Sequence, residues 1–248
     1  MSFKNKVVLI TGGSRGIGKQ IALNFAQQGS NIAFSYLKDH KAARDTEQEI
    51  LELGVDCLKI KAHLGNIEKI KSMFKDIKSK FGKLDILINN AASGIHKKAE
   101  ELSEKHWDWT MNINARAPWL CAIEASKIMP KGSKIINITS QGSQKVLPYY
   151  FSVGTSKAAL EAMTRYLAVE LSYKDISVNA VSGGYVYTGA LEHFPNKDEM
   201  ISASKNNLSD RPLEGTDIAK VVSFLCTKDA EMIRGQVIIV DGGYSLNV

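Results

Sequence analysis

The sequence predicts an α/β protein in which a doubly wound, seven-stranded parallel sheet is covered by helices on both faces. Short runs rich in β-branched residues recur along the chain, and amphipathic helical patterns fill the intervals between them. The runs are apolar at successive positions rather than at alternate ones, which is typical of parallel strands buried on both faces. Together these observations indicate one open sheet built from alternating strands and helices.

Seven runs account for the seven strands in chain order. They are KVVLI (6–10), NIAFSY (31–36), VDCLKI (55–60), LDILIN (84–89), KIINIT (134–139), ISVNAV (176–181) and QVIIVD (236–241). An amphipathic helix follows the first strand through about Gln28, with Gly29 as its stop signal. The longest interval without a strand pattern is 182–235, and we expect a substrate-binding lid within it, at 190–212.

The composition fits a single globular domain spanning residues 1–248. The chain has 44% hydrophobic residues and only 5 prolines, and no linker-like or repetitive segment interrupts it. The net charge is +6, from 32 Lys plus Arg against 26 Asp plus Glu, and the cations are spread among the acids. This pattern, without a zinc-finger or RNP-type motif, argues against nucleic-acid binding. The basic run Lys69–Lys83 is predicted to be a solvated helix face.

No feature of the sequence indicates export or a membrane segment. The first residues are polar, and no run of 18 apolar residues occurs. Cys57, Cys121 and Cys226 are widely spaced, which predicts buried thiols in a reducing compartment rather than disulfides or a zinc site. The histidines also lack a metal-ligand spacing such as HExxH. We therefore expect a cytoplasmic protein without a bound metal.

A glycine-rich turn, Thr11–Gly18, connects the first strand to the first helix. Glycines suit a sharp turn and a close approach of backbone to a phosphate, and the helix N-terminus offers that phosphate unpaired N–H groups. The segment also approximates the GxxxxGK pattern of nucleotide triphosphatases, but Gln20 stands where Ser or Thr would hold Mg²⁺. A dinucleotide site is therefore preferred, with a purely structural turn left open as the alternative.

The end of the second strand predicts which dinucleotide is bound. A site for NAD normally places an acid about 20 residues after the turn, where it accepts from the ribose hydroxyls. Here Tyr36, Leu37 and Lys38 occupy that position, and Arg15 lies within the turn, so the local charge is positive. We expect NADPH rather than NADH, unless Arg15 and Lys38 are merely surface cations.

Several motifs occur together in order along the chain. They are Thr11–Gly18, Asn89-Asn90-Ala91, Asn114, Ser140 and Lys157. In this combination the sequence resembles the short-chain dehydrogenase/reductase family over essentially its whole length, which implies a single-domain Rossmann fold, an oxidoreductase and a homotetramer. The resemblance implies cofactor contacts by Gly12, Ser14, Arg15, Gly16, Ile17, Gly18, Tyr36, Leu37, Lys38, His63, Leu64, Asn90, Ala91, Ala92, Lys157, Gly183, Val186 and Thr188.

Three positions depart from the family pattern. His63 stands where the family usually has an Asp near the adenine, which leaves the backbone of Leu64 as the contact, and Gly183 stands where a Pro is usual. The family usually has its tyrosine four residues before the lysine, but that position is Val153. Tyr150 instead lies seven residues before Lys157, a spacing similar to that of bacterial enoyl-acyl-carrier-protein reductases.

The position of the tyrosine bears on the reaction. On a helix, residues 150 and 153 would point within about 40 degrees of Lys157 but differ in height by about 4.5 Å. A ketone needs its acid beside the carbon that receives hydride, whereas in an unsaturated thioester charge develops on an oxygen two carbons away. The resemblance therefore implies hydride transfer from NADPH to C3 of a trans-2-enoyl thioester in fatty acid biosynthesis.

Four residues are candidates for catalysis. Tyr150 would donate a hydrogen bond to the enolate-like oxygen, and Lys157 would hold the nicotinamide ribose and favour the charged transition state. Ser140 matches the family's catalytic serine, with a serine that simply ends the fifth strand as the alternative. By resemblance, Asn114 would position a water or backbone group for proton relay.

The substrate is expected to be an acyl group on acyl carrier protein. The acyl chain would contact Ser93, Gly94, Ile95, Leu191 and Phe194, with ordinary core packing of the lid residues as the alternative. Cations near the lid would meet the acidic carrier, namely Lys197, Lys205 and Arg211. Two other functions remain open: a 3-ketoacyl thioester or other carbonyl reductase of the same family, and a non-catalytic NADPH-binding relative.

Overall fold

The computed structural model describes residues 3–186, 198 and 207–246. Its strands are β1 Val7–Ile10, β2 Asn31–Tyr36, β3 Cys57–Lys61, β4 Ile86–Asn89, β5 Lys134–Ser140, β6 Ser177–Gly183 and β7 Val237–Val240. All pairings between them are parallel, in the order β3-β2-β1-β4-β5-β6-β7. The predicted doubly wound sheet is confirmed, and every predicted strand agrees in its bounds to within two residues.

Helices fill the intervals between the strands. They are α1 Gly16–Gln27, α2 His40–Glu52, α3 Ile67–Phe81, α4 Glu104–Met111, α5 Ala117–Ser126, α6 Phe151–Glu170 and α7 Gly215–Leu225. Between α4 and α5 the chain continues through one π-helical turn, Asn112–Arg116. The first helix ends as predicted, with Gly29 at a φ of +86°. Within the described ranges, no helix combines the length and apolarity needed to cross a membrane.

Two layers of apolar side chains cover the two faces of the sheet. Because successive residues of a strand point to opposite faces, Val8 and Ile10 of β1 pack on one side with α1, α2 and α7. Val7 and Leu9 pack on the other side with α3, α5 and α6. All four side chains are at most 2% exposed. Burial on both faces explains why the strands are continuous apolar runs.

A buried carboxylate aligns the two central strands. Asp85, just before β4, accepts hydrogen bonds from the backbone N–H of Val7 at 2.9 Å, from Lys6 at 3.0 Å and from Lys83 at 2.8 Å. Burial alone would raise the pKa of Asp85, but these three donors outweigh it and hold the pKa below its ordinary value. The start of β4 is thereby fastened to the start of β1.

Strands β1 and β4 are neighbours in the sheet although they are not consecutive in the chain. The connections on either side of this point leave in opposite directions, and ligands of doubly wound sheets bind in the resulting crevice, beyond the carboxyl ends of the strands. The residues that follow β1 and β4 and the residue that ends β5 therefore meet at one edge, namely the 11–18 turn, Asn90 and Ser140.

Candidate active site

The turn after β1 brings backbone close to the start of α1. Gly12 has a φ of +65° and Gly16 a φ of +56°, which is the left-handed region that favours glycine. A Cβ on Gly18 would lie 2.5 Å from Asn90 Nδ2 and would also meet the carbonyl of Gly12. No side chain caps the start of α1. Its first N–H groups are therefore available to an anion such as a phosphate.

Thr11 and Asn90 fasten this turn to the end of β4. The Thr11 hydroxyl donates to the carbonyl of Ile88 at 3.3 Å and accepts from the N–H groups of Asn90 and Ala91, each at 3.0 Å. The Asn90 amide donates to the carbonyls of Thr11 and Gly12 at 3.0 and 3.1 Å. These bonds fix the separation of two loops that border the crevice.

A cavity of about 690 Å³ runs along the carboxyl ends of the strands. This volume is within the range of roughly 300–1,000 Å³ that small-molecule sites occupy. The cavity is lined by these predicted residues: Gly12, Ser14, Arg15, Gly16, Ile17, Gly18, Tyr36, Leu37, Lys38, Leu64, Asn90, Ala91, Ala92, Ser93, Ser140, Tyr150, Lys157, Gly183 and Val186. The candidate cofactor residues and the candidate catalytic residues therefore border one continuous space.

One end of the cavity is positively charged. Arg15 and Lys38 line it, both are exposed, and neither forms an ion pair within the part of the chain that the structure describes. The acid next to them, Asp39, uses its carboxylate to cap α2 by accepting from the N–H of Ala42 at 2.9 Å. Asp39 also lines this end, so the three side chains carry a formal charge of about +1, and Arg15 and Lys38 are the two cations that can bind an anion such as a ribose 2′-phosphate.

Tyr150 lies at the other end of the cavity, as the residue immediately before α6. Its hydroxyl is 3.2 Å from Ser140 Oγ, at the end of β5. The ring rests on the backbone of Gly142, where an added Cβ would lie 2.5 Å from the ring carbon Cε1. Burial raises the pKa of the Tyr150 phenol, and the hydrogen bond with Ser140 partly opposes that shift. The phenol is therefore protonated at neutral pH and is able to donate.

Neighbouring positions do not offer an equivalent phenol. Val153 is 5% exposed, packs its Cγ2 against Gly94 and does not line the cavity. Tyr149 adopts left-handed backbone, with a φ of +58°, and also lies off the cavity wall. Of the two adjacent tyrosines, it is Tyr150 that the fold presents to the cavity beside Ser140.

Lys157 projects from α6 toward the same end. Its Nζ donates to the carbonyl of Ile138 at 2.7 Å, and the residue is 5% exposed. Burial lowers the pKa of Lys157 to about 8, while the carboxylate of Glu161 acts in the opposite direction. Most of the side chain is therefore an ammonium at neutral pH. Its remaining N–H groups are available to a ligand in the cavity.

Asn114 lies within the π-helical turn and is fully buried. Its Oδ1 accepts from the N–H of Ser93 at 2.8 Å, and its Nδ2 donates to Ser156 Oγ at 3.0 Å. The side chain does not line the cavity. Asn114 thus ties the loop after β4 to α6, so these contacts make it a positioning residue rather than a direct contact to a ligand.

Some predicted cofactor and substrate residues lie elsewhere. His63 turns its Nδ1 toward the N–H of Gly65, at 3.1 Å, and packs edge-on against Trp109, so Leu64 forms the cavity wall in its place. Gly94 and Ile95 are not on the wall either. Three further predicted residues fall outside the described part of the chain, namely Thr188, Leu191 and Phe194.

The predicted carrier contacts are only partly described. Lys197 and Lys205 lie outside the described residues. Arg211 forms a two-pronged ion pair with Asp217, at 2.7 and 2.8 Å. This pair neutralises a cation that we expected to face an acidic partner.

Two aromatic residues of the cavity wall were not predicted. Trp109 of α4 donates from its indole Nε1 to Ser93 Oγ at 2.9 Å, and Tyr185 follows β6. The position of Tyr185, two residues beyond the carboxyl end of a strand, was an available signal. Nothing in the sequence distinguishes Trp109 from Trp107 as a wall residue.

In sequence, the chain is similar to known reductases and dehydrogenases. Residues 12–245 match a family model described as "Enoyl-(Acyl carrier protein) reductase". The chain is 34% identical over 246 residues to 1-cyclohexenylcarbonyl-CoA reductase of Streptomyces collinus, covering 98% of this chain and 88% of that protein. It is 36% identical over 251 residues to (2S)-[(R)-hydroxy(phenyl)methyl]succinyl-CoA dehydrogenase subunit BbsD of Thauera aromatica, covering 99% of each.

Solved structures share the whole fold. A short chain dehydrogenase from Burkholderia cenocepacia in complex with NADP has a TM-score of 0.92 at 28% identity, over 99% of this chain and 100% of that one. The angucycline C-6 ketoreductase LanV with bound NADP has a TM-score of 0.91 at 32% identity, over 99% and 98%. With the glycine-rich turn and the Ser140, Tyr150 and Lys157 side chains on one cavity, these matches show that the chain belongs to the short-chain dehydrogenase/reductase family.

Proposed function

We propose that the protein is a cytoplasmic, NADPH-dependent reductase of trans-2-enoyl thioesters, which are carried by acyl carrier protein in fatty acid biosynthesis. One observation carries this proposal. The Tyr150 hydroxyl lies on the cavity 3.2 Å from Ser140, whereas Val153 is buried off the cavity wall. The phenol is therefore set back along the start of α6 from the position at which relatives usually carry it.

The cavity fits NADPH. The uncapped start of α1 and the close turn around Gly18, which leaves no room for a Cβ, suit the pyrophosphate. Arg15 and Lys38 would hold the 2′-phosphate at the positive end, and Lys157 would bind the nicotinamide ribose at the other. NADP is bound in the related structures from Burkholderia cenocepacia and of LanV.

The chemistry assigns separate tasks to the catalytic side chains. When bound, NADPH supplies the hydride that C3 of the enoyl chain accepts. Negative charge then develops on the thioester oxygen, two carbons from C3, and Tyr150 donates a hydrogen bond to that oxygen. The Ser140 hydroxyl, 3.2 Å away, orients the phenol, and the Lys157 ammonium stabilises the developing negative charge. C2 subsequently takes a proton from solvent, which completes the saturated thioester.

A carbonyl reductase is the second candidate, because relatives carry that chemistry in their names. LanV is a ketoreductase, and the protein from Thauera aromatica is a dehydrogenase of a hydroxy compound. The reductase from Streptomyces collinus is instead named for an unsaturated acyl-CoA. The buried Val153 favours the unsaturated substrate, since no phenol stands at residue 153 to protonate an oxygen on the hydride-accepting carbon.

The carrier and the assembly are part of the proposal. An acidic acyl carrier protein would approach the residues of the 190–212 lid. Enoyl thioesters of free coenzyme A would be the alternative substrates. Large apolar side chains are exposed on and after α6 and on β7: Tyr166 at 70%, Val169 at 74%, Tyr173 at 76% and Ile239 at 49%. Such exposure supports burial of these faces in a homotetramer.

One assay tests the reaction. NADPH oxidation is followed with crotonyl and longer trans-2-enoyl thioesters, and separately with 3-ketoacyl thioesters, for the wild-type protein and for Tyr150→Phe. We expect turnover of the enoyl substrates and a loss of about 100-fold or more in kcat for the variant. Turnover of the ketone alone would exclude the enoyl reductase. Full enoyl activity in the variant would remove the role assigned to Tyr150.

A matched variant serves as the control. Tyr149→Phe removes the phenol of the adjacent residue, which lies off the cavity wall. This variant is expected to keep the wild-type rate with either thioester.

A further inference from the structure

A buried carboxylate lies beneath the catalytic end of the cavity and takes no part in the reaction described above. Glu161 is on α6, four residues after Lys157, so the two side chains lie on one face of the helix. Glu161 is 5% exposed and does not line the cavity. A buried carboxylate is unfavourable unless it is paired and hydrogen-bonded. Its partners therefore indicate its role.

Three polar groups surround this carboxylate. The hydroxyls of Thr139 and Ser143 donate to Oε1 at 2.9 and 2.5 Å, and the Gln144 amide donates to Oε2 at 3.2 Å. Thr139 is in β5, next to Ser140, and the other two donors belong to the 141–144 turn that follows. Glu161 therefore holds this turn against α6.

The 141–144 turn supports the catalytic phenol. The ring of Tyr150 rests on Gly142 so closely that a Cβ there would collide with it. The Gly142 carbonyl in turn lies against Gly154 of α6, where an added Cβ would be only 2.6 Å from that oxygen. A shift of the turn would thus be passed directly to the Tyr150 ring, whose hydroxyl must stay near Ser140.

Glu161 is also the charge that opposes the desolvation of Lys157. Burial lowers the pKa of Lys157, and the Glu161 carboxylate raises it. The groups that line the cavity beside Lys157 carry no formal charge at neutral pH: the carbonyl of Ile138 and Ser140 from β5, Gln141 from the turn, Tyr150 before α6 and Tyr185 after β6. Two titratable groups lie behind this lining: the Asp241 carboxylate accepts from Gln141 Nε2 at 2.7 Å, and the His96 ring stacks on Tyr150 with its centroid 6.0 Å away. Glu161 is the carboxylate that shares a face of α6 with Lys157, and it raises the pKa that burial lowers.

We propose that Glu161 is a positioning residue for the reaction: it fixes the 141–144 turn beneath Tyr150, and its buried carboxylate, on the same face of α6 as Lys157, stabilises the Lys157 ammonium. The two actions can be tested separately. The support of the turn depends on the length of the Glu161 side chain, and the effect on Lys157 depends on its charge. The inference deepens the proposed function and relies on it for the kinetic measurement, but the titration of Lys157 needs no substrate.

The variant Glu161→Gln removes the charge and keeps the size of the side chain. Only the ammonium form of Lys157 stabilises the developing negative charge, so activity falls as pH rises through the pKa of Lys157. Removing the carboxylate lowers that pKa. At saturating NADPH, the alkaline limb of kcat/KM is therefore expected to move to lower pH. The matched control is Glu170→Gln, which removes an exposed carboxylate from the same helix. This variant is expected to leave the alkaline limb of kcat/KM at its wild-type position.

Chemical modification measures the pKa of Lys157 without any substrate. The apo protein is pulsed with acetic anhydride across a pH series, and modification of Lys157, which lines the cavity, is measured by mass spectrometry. The wild-type midpoint is expected at about 8 and that of Glu161→Gln below it. A midpoint and an alkaline limb that both stay at the wild-type values would overturn the role of the charge, even in a confirmed enoyl reductase. A shifted midpoint in a protein without enoyl activity would refute only the proposed reaction.

Glu161→Asp tests the positioning role and applies even if the Gln variant does not fold. The charge remains, but the carboxylate is drawn back by one methylene from Ser143 and Gln144. We expect kcat to fall about tenfold or more with the alkaline limb in its wild-type place, because a misplacement of about 1 Å can reduce a rate by about 100-fold. A wild-type kcat in this variant would overturn the support of Tyr150 through the 141–144 turn.

Discussion

The contact between Gly142 and the Tyr150 ring allows a sharp test of the catalytic geometry. In Gly142→Ala the new Cβ would lie 2.5 Å from Cε1 of the ring, whereas ordinary contacts begin at 3.4 Å. The ring must therefore withdraw by about 0.9 Å, since the turn behind it is held by Glu161. The hydroxyl lies 3.2 Å from Ser140 Oγ, already at the long end for an O–H···O hydrogen bond, so a displacement of this size is expected to disrupt that bond. A misplacement of about 1 Å predicts a loss of about 100-fold in kcat.

The assay is steady-state NADPH oxidation with the best substrate found for the wild-type protein, together with a fluorescence titration of NADPH binding. We expect kcat to fall while the Kd for NADPH stays within about twofold of wild type, because residue 142 does not line the cavity. Gly215→Ala is the matched control: its Cβ would approach the flexible Gln20 side chain at 3.1 Å and the Ile17 Cα at an ordinary 3.6 Å, on a different helix from the one that follows Tyr150. A wild-type kcat in Gly142→Ala, or an equal loss in Gly215→Ala, would refute the reasoning.

Further perturbations test other parts of the structure. Gly18→Ala places a Cβ against the Gly12 carbonyl and is expected to weaken NADPH binding about tenfold or more, about 1.4 kcal/mol, by fluorescence titration; unchanged binding would contradict the turn geometry. The double variant Arg15→Ala with Lys38→Ala should reduce the ratio of NADPH to NADH kcat/KM about tenfold or more, and a constant ratio would exclude these cations as the phosphate site. Asp85→Asn should cost about 1–3 kcal/mol of unfolding free energy at neutral pH in urea titrations. The pKa of Asp85 is depressed in the folded state, so the carboxylate contributes stability above the ordinary value of 3.8 and loses that contribution as pH falls through the folded pKa. The difference in unfolding free energy between Asp85→Asn and wild type should therefore vanish in acid. A difference that stays constant with pH would argue against the ion pairs.

The sheet was predictable because its signal is local. Each strand is an apolar run bounded by polar or turn residues, and burial on both faces requires that run whatever packs against it. The stop of α1 at Gly29 is local in the same sense, since its φ of +86° needs glycine. The π-helical turn at Asn112–Arg116 carries no comparable pattern. Its Asn114 side chain forms hydrogen bonds to groups that are distant in the chain, which no local pattern records.

The candidate site was predictable where spacing sets geometry. The seven-residue interval between Tyr150 and Lys157 placed both on the cavity, and the glycine spacing placed the turn. Positions that depend on neighbouring side chains were not predictable. His63 is drawn toward the N–H of Gly65, and Glu161 is surrounded by donors from β5 and the turn after it, contacts that no pattern in the sequence records.

The packing of Val153 against Gly94 bears on how this chain could change its chemistry in evolution. An added Cβ on Gly94 would collide with Val153 Cγ2, so residues 94 and 153 already share one filled space. A tyrosine at 153 would need room that the loop after β4 occupies, and that loop is tied to Asn114 through Ser93. A route from this arrangement to one with a phenol at residue 153 therefore passes through coupled changes in two separate segments.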